Sequence, residues 1–216
     1  MSVHRPDLPG VGRGVRSHAD RLRTALVRNV GLVRASAGLF LAGMIVGAGL
    51  ALAVGMDPVA GTGAEAGAST GTQDGGSAAA PDLGAVEILV NNVQVFGLLV
   101  SGSLTLGVTT LLSLGVNGLL FGAVGGAAVA GGETVEFALL TAPHVVLEFP
   151  AFFLAAAAGL KFPYELSRYA RGRKSYVVDD RELVDAIYLT GASVAVLAVA
   201  AVVEAHLPTA LVALLG

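Results

Sequence analysis

Residues 88–132, ILVNNVQVFGLLVSGSLTLGVTTLLSLGVNGLLFGAVGGAAVAGG, decide the fold, because these 45 consecutive residues include no charged side chain. As one helix they would extend about 67 Å at about 1.5 Å per residue, roughly twice the hydrocarbon thickness of a bilayer. The stretch must therefore fold back inside a membrane. Asn117-Gly118 is its strongest turn signal and predicts one helix near residues 90–113 and another near 118–131. Because this turn carries no charge, a cytoplasmic turn and a re-entrant hairpin both stay open.

The composition of the whole chain is that of a membrane protein. Of the 216 residues, 54% are hydrophobic and 13% are charged, whereas a soluble domain carries about 25% charged residues. An ordinary water-soluble enzyme is therefore excluded. The chain contains no cysteine, which excludes disulfides, thiolate nucleophiles and cysteine metal sites. The formal net charge of -3 gives no basic surface for nucleic acid, so we expect no nucleic-acid partner.

The positions of the cations predict the orientation of the chain. All 13 Lys and Arg residues lie in two segments, and no cation occurs between Arg34 and Lys161. Cytoplasmic loops of membrane proteins are enriched in Lys and Arg, and translocated loops are not. The pattern therefore predicts a basic cytoplasmic N-terminal arm over residues 1–34, a basic cytoplasmic loop over residues 161–183, and a cytoplasmic N-terminus.

Three further apolar stretches predict membrane helices near residues 35–56, 137–160 and 184–207, each long enough to cross a hydrocarbon core of about 30 Å. A cleavable signal peptide is disfavoured for the first stretch, because its apolar part exceeds the usual length of about 7–15 residues. Residues 57–85 are rich in Gly, Ala, Ser and Thr and lack cations, which predicts a disordered external loop. The predicted fold is an all-α, polytopic membrane protein of the cell (plasma) membrane, with about five transmembrane helices in the lipid bilayer.

Two rows of glycines predict close contacts between helices. Gly43 and Gly47 lie in the first predicted helix, and Gly118, Gly122 and Gly126 lie in the third. A spacing of four residues places each row on one helical face. Helices in lipid associate through such small residues because their backbones can approach closely. With 30 glycines in the chain, rows of this kind also arise by chance, and they indicate no substrate.

Polar side chains inside the predicted membrane helices are the candidate functional residues, because they are costly at that depth. His144 and Glu148 are four residues apart and can form a hydrogen-bonded pair on one helical face. Pro143 and Pro150 flank the pair and predict a broken or kinked helix, a feature that many transporters use to build substrate sites. Two interpretations stay open: a site for a proton, ion or ligand, and a buried polar clasp that holds helices together.

Three other polar residues complete the candidate intramembrane site. Asn92 lies near the start of the second predicted helix, Asn117 lies in the predicted turn, and Glu204 lies near the external end of the fifth helix. We expect Pro208 to end or kink that helix. One His with one Glu cannot complete a zinc site, which needs three or four ligands, and no phosphate-binding or dinucleotide-binding motif accompanies the glycines. We therefore expect no metal, no cofactor and no catalytic residue.

A series of polar residues, glycines and prolines runs along residues 35–208. In chain order it consists of Asn92, Asn117-Gly118, Gly122, Pro143-His144, Glu148, Gly159, Glu204 and Pro208. This order resembles the stage II sporulation protein M family of integral membrane proteins. The chain departs from the family pattern at Val145, where the family usually has Gly after Pro-His. The resemblance implies a polytopic all-helical protein. In spore formers such proteins act as scaffolds in a membrane complex that includes cell-wall-degrading partners.

Two functional hypotheses follow from the sequence. The first is a non-enzymatic membrane component that assembles with other membrane proteins and whose buried polar residues form a clasp. The alternative is a transporter or permease-like subunit whose pathway is lined by His144, Glu148 and Glu204. An intramembrane hydrolase would need a nucleophile beside His144, and the sequence offers only Ser and Thr at unconstrained distances.

Overall fold

A computed structural model describes residues 11–56 and 85–215, and each regular element in these ranges is helical. In chain order the elements are α1 (Val11–Val54), α2 (Ala85–Ser101), α3 (Val108–Gly131), α4 (Thr134–Pro143), a π-helical turn (His144–Glu148), α5 (Phe149–Ala170) and α6 (Asp180–Leu215). The predicted external loop, residues 57–85, lies outside the described residues except for Ala85, which begins α2.

Four stretches in the described part of the chain are long and apolar enough to cross a membrane: Ser17–Val54, Val108–Gly131, Val145–Ala170 and Asp180–Val203. The polytopic helical membrane class is therefore confirmed, although about five crossings were predicted. The difference lies in α2, which has 17 residues. At about 1.5 Å per residue α2 is roughly 26 Å long, somewhat short of the roughly 20 residues that a crossing usually needs.

The uncharged stretch folds back at residues 102–107, and the predicted turn at Asn117-Gly118 is wrong. Both residues lie inside α3, so the division into helices near 90–113 and 118–131 is also wrong. The Asn117 Nδ2 group donates a hydrogen bond to the Ser113 carbonyl at 2.8 Å, which satisfies the amide within the helix. The real turn ends at Gly107, whose φ of 89° is a left-handed conformation that glycine adopts at little cost.

Tight contacts hold this turn against α5. The Thr110 hydroxyl donates to the Leu99 carbonyl at 2.6 Å, one of the last carbonyls of α2, where helical partners run out. The Ser103 hydroxyl donates to the Gly159 carbonyl at 3.3 Å, which lacks its helical donor because Pro163 has no N–H. A Cβ added at Gly159 would lie 1.9 Å from the Leu99 oxygen. The backbones of α2 and α5 therefore touch.

The helices α1 and α3 run parallel and meet backbone to backbone. A Cβ added at any of the five glycines in the two rows would approach a carbonyl oxygen of the facing helix to between 1.9 and 2.8 Å: Gly43 to Gly115, Gly47 to Leu119, Gly118 to Phe40, Gly122 to Met44, and Gly126 to Ala48. Real Cβ atoms do not come so close to other atoms. The five glycines singled out in the sequence thus all lie in this contact, and a side chain there would push the helices apart.

Two helices run further than predicted. Residues 11–34 of the predicted N-terminal arm are not a separate segment, because α1 begins at Val11 and continues without interruption to Val54. At the other end of the chain, α6 continues past Pro208 to Leu215. Pro208 was predicted to end or kink the helix; it does not end it, and the kink stays a prediction. Helices in membranes tolerate proline, because neighbouring groups satisfy the freed carbonyl.

Candidate functional site

The segment between α4 and α5 forms a π-helical turn, His144–Glu148. Pro143 is the last residue of α4, and Pro150 is the second residue of α5. Because proline has no N–H, the regular hydrogen-bond ladder cannot pass through Pro150. The chain nevertheless stays helical, and Glu148 has φ -77° and ψ -42°. Of the predicted break or kink, the break is wrong, because the prolines flank a local widening of the helix, and the kink stays a prediction. Such π turns are frequent at functional sites.

Glu148 is buried about half way across the bundle. Glu148 is 6% exposed to solvent. The ring of the next residue, Phe149, lies 5.0 Å from the ring of Phe121. Phe121 precedes the end of α3 at Gly131 by ten residues (131 − 121), or about 15 Å at about 1.5 Å per residue. If α3 is centred in a hydrocarbon core of about 30 Å, Phe121 lies near its middle, the depth at which a carboxyl group is most costly.

Aromatic rings cluster around Phe149, the residue that follows Glu148. The Phe40 ring of α1 lies 4.7 Å from the Phe149 ring and 5.7 Å from the Phe153 ring, edge to face in both cases. On the other side the Phe121 ring lies 5.6 Å from the Phe137 ring. Edge-to-face pairs at these distances are favourable aromatic contacts. The cluster joins α1, α3, α4 and α5.

The structure places the other predicted site residues less completely. Asn92 belongs to α2, His144 opens the π turn, and Glu204 belongs to α6. The side chains of these three residues, and those of Pro143 and Pro208, lie outside the described residues. The predicted pairing of His144 with Glu148 therefore stays a prediction.

Asn117 lies in the wall of a narrow cleft instead of a turn. The cleft is lined by Phe40, Val95, Leu99, Ser113, Leu114, Asn117 and Phe152. The volume in the cleft that the centre of a water molecule can occupy is about 10 Å³. This is about the smallest volume that holds one water molecule. Phe40 lines this cleft and also packs in the aromatic cluster. The cleft is too small for an organic substrate.

A buried ionic cluster at one end of the bundle was missed in the sequence. It consists of Arg28 and Asn29 of α1, Lys161 and Glu165 of α5, and Asp185 of α6. The Lys161 ammonium donates to Asn29 Oδ1 at 2.6 Å and lies 3.6 Å from an Asp185 oxygen and 3.9 Å from a Glu165 oxygen. Arg28 pairs with the same Asp185. We call this end of the bundle the basic end.

The ionic cluster ties three helices together in a place with little water. Lys161 is 8% exposed, and Asn29, Glu165 and Asp185 are 2% exposed. Removal of the sole partner of a buried charge costs about 3–5 kcal/mol, but each carboxylate here has a second cation, Arg28 for Asp185 and Lys174 for Glu165. The one signal in the sequence was the spacing of four between Lys161 and Glu165, which places both on one helical face. The partners on α1 and α6 could not be read from spacing.

The loop between α5 and α6 is fastened to this cluster by Lys174. Its ammonium donates to Glu165 at 3.0 Å and also to Glu182. Burial opposes the charge on Lys174, but the hydrogen bonds and charges of Glu182 and Glu165 outweigh it and raise the pKa of Lys174 above its usual value. At the start of α6, Asp179 and Glu182 each accept the other's backbone N–H, at 2.9 and 3.0 Å. This is a capping box, and the Glu182 N–H lowers the pKa of Asp179.

Long apolar helices, a glycine-lined parallel contact and charges gathered at one end define an α-helical integral membrane protein. The family model of Stage II sporulation protein M matches residues 36–207, and the chain belongs to this family. It is also 31% identical over 124 residues to an uncharacterized protein of Methanocaldococcus jannaschii, an alignment that covers 56% of this chain and 68% of that protein. No solved structure matches the chain. The family resemblance seen in the sequence is confirmed.

Proposed function

We propose that this protein is a non-enzymatic component of a plasma-membrane complex, in which its helix bundle serves as a rigid scaffold for other membrane proteins. The observation that carries the proposal is the contact of α1 with α3. At Gly47 even a Cβ would lie 1.9 Å from the Leu119 carbonyl oxygen, so no pathway can run between these two helices. Membership of the Stage II sporulation protein M family supports the membrane location and implies no catalytic role.

The ionic cluster supports the same function. It links α1, α5 and α6 through Lys161 and Asp185, while the aromatic cluster links α1 to α3 and α5 deeper in the bundle. Helices that are joined at two levels keep a fixed arrangement, because rotation of one would break both contacts. A fixed arrangement presents the same outer surface to partners at all times, which is what a scaffold requires.

A second candidate function is a transporter or permease-like subunit, favoured by the burial of Glu148 at half depth beside a π turn. Titratable groups at such positions commonly serve proton or ion pathways. In this alternative, His144, Glu148 and Glu204 line the pathway, and Glu148 takes up and releases a proton.

Substitution of the intramembrane residues separates the two functions. The variants are Glu148→Gln and His144→Ala, and the matched control is Glu133→Gln, an exposed glutamate at the turn between α3 and α4. A scaffold co-purifies with membrane proteins in mild detergent, and Glu148→Gln retains them. If reconstituted protein instead shows a pH-dependent flux that Glu148→Gln abolishes and Glu133→Gln preserves, the scaffold proposal fails.

A further inference from the structure

Around the loop between α5 and α6, most acidic side chains are buried or half-buried and most exposed charges are positive. The acidic side chains of Glu165 and Asp185 are buried and paired within the ionic cluster. In contrast, Arg171, Arg173 and Arg181 are exposed, and none of the ion pairs in the described part of the chain includes them. Asp180 is the one exposed acidic side chain among residues 171–181, and Asp179 offsets part of the charge of Arg181. With three exposed arginines against one exposed aspartate, the outer surface of the loop keeps a net positive charge.

This cationic surface lies where a membrane surface would be. The three arginines fall within residues 171–181, between the end of α5 at Ala170 and the first turn of α6. Tyrosines on the same part of the chain are exposed as well: Tyr164 by 47%, Tyr169 by 44% and Tyr176 by 53%. Tyrosine is enriched at the boundary between hydrocarbon and water, because its ring is apolar and its hydroxyl is polar.

The loop between α5 and α6 is also held in place by hydrogen bonds to the helices. Lys174 anchors its middle to Glu165 and Glu182, and the Arg171 guanidinium is fixed on Ser167 by a hydrogen bond of 3.0 Å. A fixed position lowers the entropy that the arginines lose when they bind a ligand. We call residues 164–181 the basic collar.

We infer that the basic collar binds the headgroups of anionic phospholipids in the leaflet that it faces. A guanidinium group offers parallel N–H donors that match two oxygens of a phosphodiester, so arginine suits this ligand better than lysine does. The positive-inside rule assigns the collar to the cytoplasmic leaflet, where anionic lipids attract basic segments next to membrane helices. This inference goes beyond the scaffold function and does not depend on it.

Native mass spectrometry of the full chain in detergent tests the inference. The protein is titrated with phosphatidylglycerol and with phosphatidylcholine of the same acyl chains, and the two affinities are compared. The test variant carries Arg171→Gln, Arg173→Gln and Arg181→Gln, and its matched control carries Lys at the same three positions. We expect the native chain to bind phosphatidylglycerol more tightly than phosphatidylcholine. Each substitution by glutamine should lower the ratio of the two affinities about fivefold, which corresponds to about 1 kcal/mol per cation near an anionic surface.

The control and a competition arm make the outcomes distinct. The lysine variant keeps the positive charge and should retain most of the preference, because charge supplies the larger part of the attraction. Inorganic phosphate in excess should not displace the lipid. Equal affinity of the native chain for the two lipids, an unchanged preference in the glutamine variant, or displacement by phosphate would each overturn the inference. Loss of a co-purified protein with the lipid preference intact would show a protein-binding surface instead.

Discussion

A methyl group added to Gly47 should destabilise the contact between α1 and α3. The Cβ of Gly47→Ala would lie 1.9 Å from the Leu119 carbonyl oxygen, whereas ordinary contacts begin at about 3.4 Å. The helices would have to separate by about 1.5 Å (3.4 − 1.9) along this line. Overpacking of a close contact costs about 1–3 kcal/mol, so we expect a loss of that size in the free energy of unfolding.

Gly49→Ala is the matched control on the same helix. Gly49 is two residues further along α1, is exposed, and has no atom within 4 Å of an added Cβ. Alanine favours a helix over glycine by up to about 1 kcal/mol, so Gly49→Ala should be neutral or stabilising. The assay is reversible unfolding in mixed detergent micelles. Equal stability of the two variants would refute the close contact.

Three further outcomes follow from the described contacts. Lys161→Met should cost about 1–3 kcal/mol in the same unfolding assay, because it leaves the buried Asn29 Oδ1 without its donor, while Arg28 and Lys174 still pair with Asp185 and Glu165; an unchanged stability would show that Lys161 does not hold the ionic cluster together. Thr110→Val should cost about 1–3 kcal/mol by removing the hydroxyl bonded to the Leu99 carbonyl, whereas the exposed Thr24→Val should change stability by less than about 0.5 kcal/mol. The pKa of Asp179 is lower in the folded chain than in the unfolded chain, so its stabilisation of the start of α6 is present above the unfolded pKa and is lost as the pH falls through the folded pKa. The protection factor of the Glu182 N–H in hydrogen exchange, which removes the intrinsic pH dependence of the rate, should fall in that range in the native chain and stay constant in Asp179→Ala.

The local features of this fold could be predicted from residue spacing. Glycines four residues apart on α1 and α3 mark the close contact, because such spacing places them on one face. The prolines at 143 and 150 mark the irregular turn, because each removes a donor from the helical ladder. Both signals act within one helix and need no knowledge of its neighbours.

The turn at residues 102–107 could not be predicted in this way. Asn117-Gly118 is a stronger turn signal by composition, but Gly118 is needed for the approach of α3 to α1, with a Cβ position 2.3 Å from the Phe40 oxygen. Tertiary contact therefore overrides the local preference of the pair. The actual turn depends on Thr110 and Gly159, which supply a hydrogen bond and space from other parts of the chain.

The ionic cluster could not be predicted because its members come from three helices. In the sequence, Arg28 and Lys161 act as cations that set the orientation of the chain. Their pairing with Asp185 depends on the angles and offsets of α1, α5 and α6, which side-chain periodicity does not determine. The cations from which the orientation of the chain is predicted thus also join its helices.

Co-purification tests the scaffold function most directly. The full chain, Gly47→Ala and Gly49→Ala are each purified in mild detergent from their native membranes, and the amount of every co-purified membrane protein per chain is measured by mass spectrometry. We expect a fixed ratio of at least one membrane protein to the native chain and to Gly49→Ala, and a lower ratio for Gly47→Ala. Recovery of the native chain without a partner, or equal ratios for the two variants, would contradict a rigid scaffold built on the contact of α1 with α3.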